Sequence, residues 1–287
     1  MQLCDHGGER SMTAVADDIW ICATCGVEHQ RRVEVCAICA DERQWVPREG
    51  QLWTSLSELA ATGHRTVFTV LEPGLLGIAA EPAVGIGQRM HCVITPEGVL
   101  LWDPVAFVDA QGIRRVRACG EVIAIASSHP HMFGAQVAWS RALGGVPILV
   151  CEPDIGWVAR EDTAISAWSG TRTLAPGLRL LQLGGHFPGS CVVHWQDGAD
   201  GRGVLLSSDT LQANPDRASV TFMRSFPNRI PLSAEVAQRI ARALAPLRFD
   251  RLYDNFARCI EADAADVVAR SAQRHADWVR GEFDALT

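Results

Sequence analysis

The sequence predicts an α/β protein led by a small cysteine-rich module, and three observations carry that prediction. Short β-rich runs alternate with helical stretches from about residue 65 onward, histidines stand just past the carboxyl ends of such runs, and two Cys-x-x-Cys pairs fall within the first 45 residues.

Taken in order, residues 1 to about 45 are polar and rich in cysteine, and Pro47-Arg-Glu-Gly50 reads as a break. The expected division is therefore a module over 1–48 and a large domain over 49–287. A helix is expected to start at Trp53-Thr-Ser-Leu, from its capping pattern. Strands follow over 66–70, 91–95 and 98–102 between Pro and Gly turns, the pattern of a sheet built by hairpins. A helix over 105–119 leads into the apolar run 122–126, which ends at Ser127-Ser-His-Pro-His131. Then come a helix over 136–143, strands over 147–150, 178–183 and 191–195, and a strand over 203–207 that runs into Ser208-Asp209-Thr210. A helix over 234–245, a short strand over 251–256 and a helix over 264–280 close the chain.

Composition narrows the class. The 287 residues accommodate one large domain with an appendage. With 48% hydrophobic and 21% charged residues the chain is ordinary globular protein, which excludes disordered and fibrous architectures. All 26 basic residues are arginines, and the formal net charge of -7 argues against a surface that coats nucleic acid. No run of about 18 apolar residues suggests a membrane span, and no signal-peptide pattern opens the sequence, so a cytoplasmic protein is expected.

Two groups of residues carry chemistry. His129-x-His131 places two imidazoles at alternate positions of a tight loop, His186 arrives from the glycine-rich loop Gly184-Gly-His-Phe-Pro-Gly-Ser190, and Asp209 ends another apolar strand. Three imidazoles with a carboxylate or an open position form the ligand set of a catalytic zinc site, and Fe2+ would also suit it. Any one of these histidines alone would read as structural; their meeting at three strand ends is the signal. The second group is Cys22-x-x-Cys25 with Cys36-x-x-Cys39, separated by 10 residues. Four thiolates at this spacing close a compact knuckle around a structural Zn2+, whereas a redox dithiol would occur once and within a βαβ unit. Cys4 and His6 have the spacing for a further ion but no evident partners. Arg217, Arg224 and Arg229 follow Asp209 on an expected loop, where Arg217 and Arg224 are weak candidates for holding an anionic substrate. Trp139, Trp157 and Trp168 read as packing residues, His194 as structural, and Asp254 as a solvated loop carboxylate.

Ser128-His-Pro-His131, Gly185-His-Phe-Pro-Gly-Ser190 and Ser208-Asp209-Thr210, following a strand that ends Leu101-Trp-Asp103, resemble the successive motifs of the metallo-β-lactamase superfamily over about residues 65–260. The resemblance implies a four-layer αββα sandwich with metal at the sheet edge. It also implies that His129, His131 and His186 are first-metal ligands, Asp209 the bridging aspartate, and Asp103 the early structural aspartate. Where the family's His-x-His-x-Asp-His pattern supplies second-metal ligands, this chain has Phe133 and Gly134, and the family's last histidine, expected near Tyr253-Asp254-Asn255, is missing. Cys36-Ala-Ile-Cys-Ala-Asp-Glu-Arg-Gln44, together with these features, resembles a group of bacterial proteins with this fold and no assigned substrate, which implies fold and not activity.

The expectation is a mononuclear metal-dependent hydrolase acting on a small-molecule ester, thioester, lactone or amide, with Asp209 as fourth ligand or as base for the attacking water. A second reading is a degenerate member of the fold, without hydrolysis, that binds or senses through the knuckle. A third is an iron redox protein, against which the missing second-metal ligands argue.

Overall fold

The structure, a computed structural model, describes residues 19–287; Cys4 and His6 lie outside the described residues. Two sheets face each other. The first has seven strands in the spatial order Ile165–Trp168, Ile148–Cys151, Val122–Ala126, Gly98–Trp102, Met90–Thr95, Leu75–Glu81 and Arg65–Glu72. The second has six, in the order Thr171–Ala175, Leu178–Gln182, Cys191–Trp195, Val204–Leu206, Arg251–Tyr253 and Cys259–Ile260.

Connection length decides strand direction. The stretches joined by short turns, such as Met90–Thr95 and Gly98–Trp102, pair antiparallel, whereas Gly98–Trp102, Val122–Ala126 and Ile148–Cys151 are joined through helices Ala110–Cys119 and Gln136–Leu143 and run parallel. The same rule makes Val204–Leu206 parallel to Arg251–Tyr253, with helix Ala234–Leu244 between them. Strand Gly98–Trp102 is buried along its whole length because both of its faces are covered. Leu100 and Trp102 point into the core between the sheets with Leu180, Val193 and Leu206, while Val99 and Leu101 point outward into a core with Ile113 and Val116. Beyond the second sheet a third core packs Val192 and Leu252 against Ile240 and Val268 of helices Ala234–Leu244 and Ala264–Val279. Helices, sheet, sheet, helices is the four-layer αββα sandwich.

The cysteine-rich module is packed onto this body. Trp20–Cys22 is the central strand of a small sheet, paired with Glu28–His29 and with Trp53–Ser55, a strand that lies past the expected division at residue 48. Trp53 therefore does not start a helix. Ser55 caps the helix Leu56–Ala61, accepting the Glu58 N–H, and the residues before it are claimed by pairing with Trp20–Cys22. The helix expected over 105–119 is likewise shorter, because the Asp109 carboxylate accepts the Gly112 N–H and starts it at Ala110, leaving Val105–Val108 as buried irregular chain. Strand Leu75–Glu81 was not expected at all; its small residues gave no alternation, and its pairing with Arg65–Glu72 is what defines it. Asp254 is another departure, being buried rather than solvated, with Oδ1 accepting the Phe256 and Arg258 N–H groups and Oδ2 without a partner. No helix of the described residues is long and apolar enough to cross a membrane.

Two predictions follow from the backbone and from this carboxylate. Gly134 sits at φ +48, and a Cβ there would lie 1.9 Å from the Pro104 carbonyl oxygen, with only backbone to give way. Gly134→Ala should cost more than about 3 kcal/mol, combining left-handed strain with a backbone clash, and a urea titration matching the parent protein would contradict it. Burial pushes the Asp254 carboxyl up to about 6, above an unfolded value of about 3.9. Its ionisation therefore costs the native state nothing below about pH 4, and the cost grows between 4 and 6 and is complete above. Metal-free Asp254→Asn should gain up to about 3 kcal/mol over the parent at pH 7 and nothing at pH 4; an equal difference at both values would refute the assignment.

Candidate metal centres

Strand ends deliver the first centre. The strand Val122–Ala126 runs into the His129 loop, and Asp103, at the end of the neighbouring strand and at φ +59, accepts the Ser128 N–H on Oδ1 at 2.6 Å. Two left-handed glycines, Gly184 and Gly185, turn the chain into His186, and the Ser190 hydroxyl accepts the Phe187 N–H at 2.7 Å to close that loop. Asp209 stands on the short turn Ser208–Thr210 after the strand Val204–Leu206.

These loops bring His129, His131, His186 and Asp209 together, with one donor atom from each lying within 4.8 Å of every other. His186 Nε2 is 3.2 Å from His131 Nδ1, and Asp209 Oδ2 is 3.5 Å from His129 Nε2 and 3.8 Å from His186 Nε2. A tetrahedral ion with ligands at about 2.0–2.1 Å has edges of about 3.3–3.4 Å, so the spacing fits one ion. Hydrogen bonds set which nitrogen is free. Met223 O can only accept, so His186 Nδ1 carries the proton and Nε2 the lone pair. Ser128 Oγ donates to Ser208 Oγ and therefore accepts from His129 Nδ1 at 2.8 Å, which leaves His129 Nε2, buried, to face the centre. It stands 3.5 Å from the Asp209 carboxylate oxygen.

Electrostatics agree with neutral His131 and His186 and an ionised Asp209 carboxylate. Burial, then the neighbouring His129, hold His186 down to about 3 and push His131 well below the ordinary histidine range. Burial pushes Asp209 up, but His129 and His186 outweigh it, and the carboxyl ends below its usual value. Gln212 Nε2 holds Asp209 Oδ1 at 2.6 Å, which leaves Oδ2 for the centre. Burial raises Asp103 to about 7. All four donor residues are at most 5% exposed, so the centre lies inside the protein.

The second centre gathers Cys22, Cys25, Cys36 and Cys39, all buried. Cys22 and Cys39 Sγ are 3.6 Å apart and Cys25 and Cys36 Sγ 3.9 Å, against an edge of about 3.8 Å for four thiolates at about 2.3 Å from one ion. Gln51 Nε2 donates to Cys22 Sγ at 3.1 Å, and His29 Nε2 lies 3.4 Å from Cys36 Sγ. Hydrogen bonds from Cys22, Cys25 and Cys39 push the Cys36 thiol down, favouring thiolate.

The arginines singled out in the sequence lie elsewhere. Arg224 turns its guanidinium to Glu42, and Arg217 pairs with Glu261 on the surface. Phe133 is buried in the core that also holds Cys25, Cys36 and Ile38, and the Gly134 carbonyl accepts the Glu28 N–H. Two residues went unnoticed. Arg43, only 7% exposed, donates from Nε to the His186 carbonyl at 2.7 Å and lies over the Phe187 ring at 4.1 Å. Glu28 is buried against Arg160 at 2.7 Å and accepts the Val137 and Ala138 N–H groups of the helix that follows the His129 loop. A charged residue shows its partner in sequence only when the partner is local, and these are more than 100 positions away.

No family model matches the sequence. The uncharacterised protein YmaE of Bacillus subtilis (strain 168) is 40% identical over 269 residues, covering 92% of this chain and 98% of its own length. Among solved structures the metallo-β-lactamase DIM-1 is similar with a TM-score of 0.55 at 11% identity, covering 73% of this chain and 98% of its own. The metallo-β-lactamase FIM-1 of Pseudomonas aeruginosa, in its mono-zinc form, is similar with a TM-score of 0.53 at 13% identity, over 74% of this chain and 96% of its own. The chain therefore belongs to the family of Bacillus subtilis YmaE, and its fold is that of the metallo-β-lactamases.

Proposed function

We propose that the chain is a metal-dependent hydrolase working with one zinc ion, held by His129, His131 and His186, on a small ester, thioester, lactone or amide. The observation that carries the reading is the set of three imidazoles and one carboxylate whose donor atoms stand at tetrahedral spacing. The FIM-1 neighbour in mono-zinc form supports a single ion in this fold. A zinc ion supplies Lewis acidity, lowering the pKa of water to about 7 and polarising a carbonyl.

The chain's own residues do the rest. Met223 O and Ser128 Oγ orient the rings of His186 and His129. Gln212 holds Asp209 Oδ1 and leaves Oδ2 facing His129 and His186 at 3.5 and 3.8 Å. From there Oδ2 would either complete the donor set or accept a proton from the attacking water. Burial of the four donors keeps bulk water out.

One observation favours the second reading, a binding or sensing protein without turnover. Four protein donors close a tetrahedral site, which is the habit of structural zinc. Metal counting and turnover separate the two. The parent protein should carry two ions, one in each centre, and hydrolyse a member of a panel of small esters, thioesters and lactones. His186→Ala should keep the four-cysteine ion, lose the other, and lower turnover by about 10³-fold or more. Unchanged metal content would refute the ligand assignment; a filled histidine centre with no turnover across the panel would establish the second reading.

A further inference from the structure

Arg43 reaches from the cysteine module to the loop that carries His186. The short helix Ala37–Ala40 carries Cys39 and ends at Asp41, and the next turn presents Arg43. Asp41 Oδ1 accepts both the Arg43 N–H at 2.9 Å and its Nη1 at 2.7 Å, so the guanidinium is aimed by a residue two positions from a thiolate ligand. From there Arg43 Nε reaches the carbonyl of His186 at 2.7 Å, and its plane covers Phe187, whose ring centroid is 4.9–5.6 Å from those of His129, His131 and His186. The Arg43 carbonyl accepts the Ser225 hydroxyl at 3.1 Å, two residues past the Met223 carbonyl that orients the His186 ring. Asn228 Nδ2 adds bonds to the carbonyls of Glu42 at 2.8 Å and Gln44 at 3.1 Å. The backbone and the ring of His186 are thus both referred to the strap 41–44.

We infer that Arg43 is a positioning residue through which the four-cysteine knuckle sets the metal affinity of the histidine centre. The inference rests on the proposal that the histidine centre holds an ion. A buried guanidinium costs several kcal/mol of desolvation unless it is fully paired, so its placement is dictated by Asp41, the His186 carbonyl and the Phe187 face together. When the knuckle holds its ion, the helix that carries Cys39 is fixed and Arg43 is preset; when the thiols are empty, that anchor is lost and His186 becomes free to turn away. Coupling of this kind is reciprocal and is read as a change in affinity.

The test is a cobalt titration of the metal-free full chain, because thiolate ligation gives an intense charge-transfer band that imidazole and carboxylate ligation lacks, so the two centres are read separately. In Arg43→Ala the histidine centre should bind cobalt about 10–100-fold more weakly, the usual cost of removing a partner just outside the ligands, while the thiolate centre keeps its affinity as long as the histidine centre is empty. Arg43→Lys should recover only part, since an ammonium cannot hold Asp41 and the His186 carbonyl while covering Phe187. Cys39→Ser should weaken the histidine centre as well, and the double variant should be no worse than Cys39→Ser alone, as one pathway requires. Affinity within twofold of the parent in Arg43→Ala, or additive losses in the double variant, overturns the inference and leaves the proposed function standing. A parent protein that binds cobalt only at the thiolate centre overturns both.

Discussion

Three imidazole nitrogens and a carboxylate oxygen meet in the buried interior, and most of the structure answers to that meeting. Lone pairs cannot face each other in a low-dielectric space without a cation or a proton between them. Each donor is therefore carried on a loop that the sheets hold rigid: the His129 loop by the Asp103 carboxylate, the His186 loop by Ser190, and Asp209 by a turn whose Thr210 hydroxyl bonds the Cys191 carbonyl at 3.3 Å. Two of the eight non-glycine residues at positive φ among the described residues, Asp103 and Ser208, stand beside these loops.

How much of this was legible follows from where each signal resides. Period-two alternation and turn residues located most strands, because a side chain's face is set by its own position. Spacing picked out His129, His131 and the four cysteines, which the structure gathers into two clusters, because His-x-His and Cys-x-x-Cys are local devices. What failed was whatever depends on pairing at a distance: Trp53–Ser55 became a strand only because Trp20–Cys22 lies beside it, and Leu75–Glu81 shows no pattern without its neighbours. Asp254 failed for a related reason. A carboxylate after a short strand reads as a loop tip, but this loop turns inward, and two backbone N–H groups meet one of its oxygens.

The missing second-metal ligands gain a physical meaning once the knuckle is placed. Phe133 and Gly134 stand where the resemblance calls for an aspartate and a histidine, and both positions are used for seating the cysteine module. Phe133 packs in the core shared with Cys25, Cys36 and Ile38, and Gly134 gives its carbonyl to Glu28 while its φ of +48 and the Pro104 carbonyl leave no room for a side chain. Glu28 in turn caps the helix that follows, neutralised by Arg160. A histidine at position 134 would have to displace the Pro104 backbone before it could approach an ion. The four-cysteine module is thus fixed through Glu28 at the loop that carries His129 and His131 and through Arg43 at the loop that carries His186.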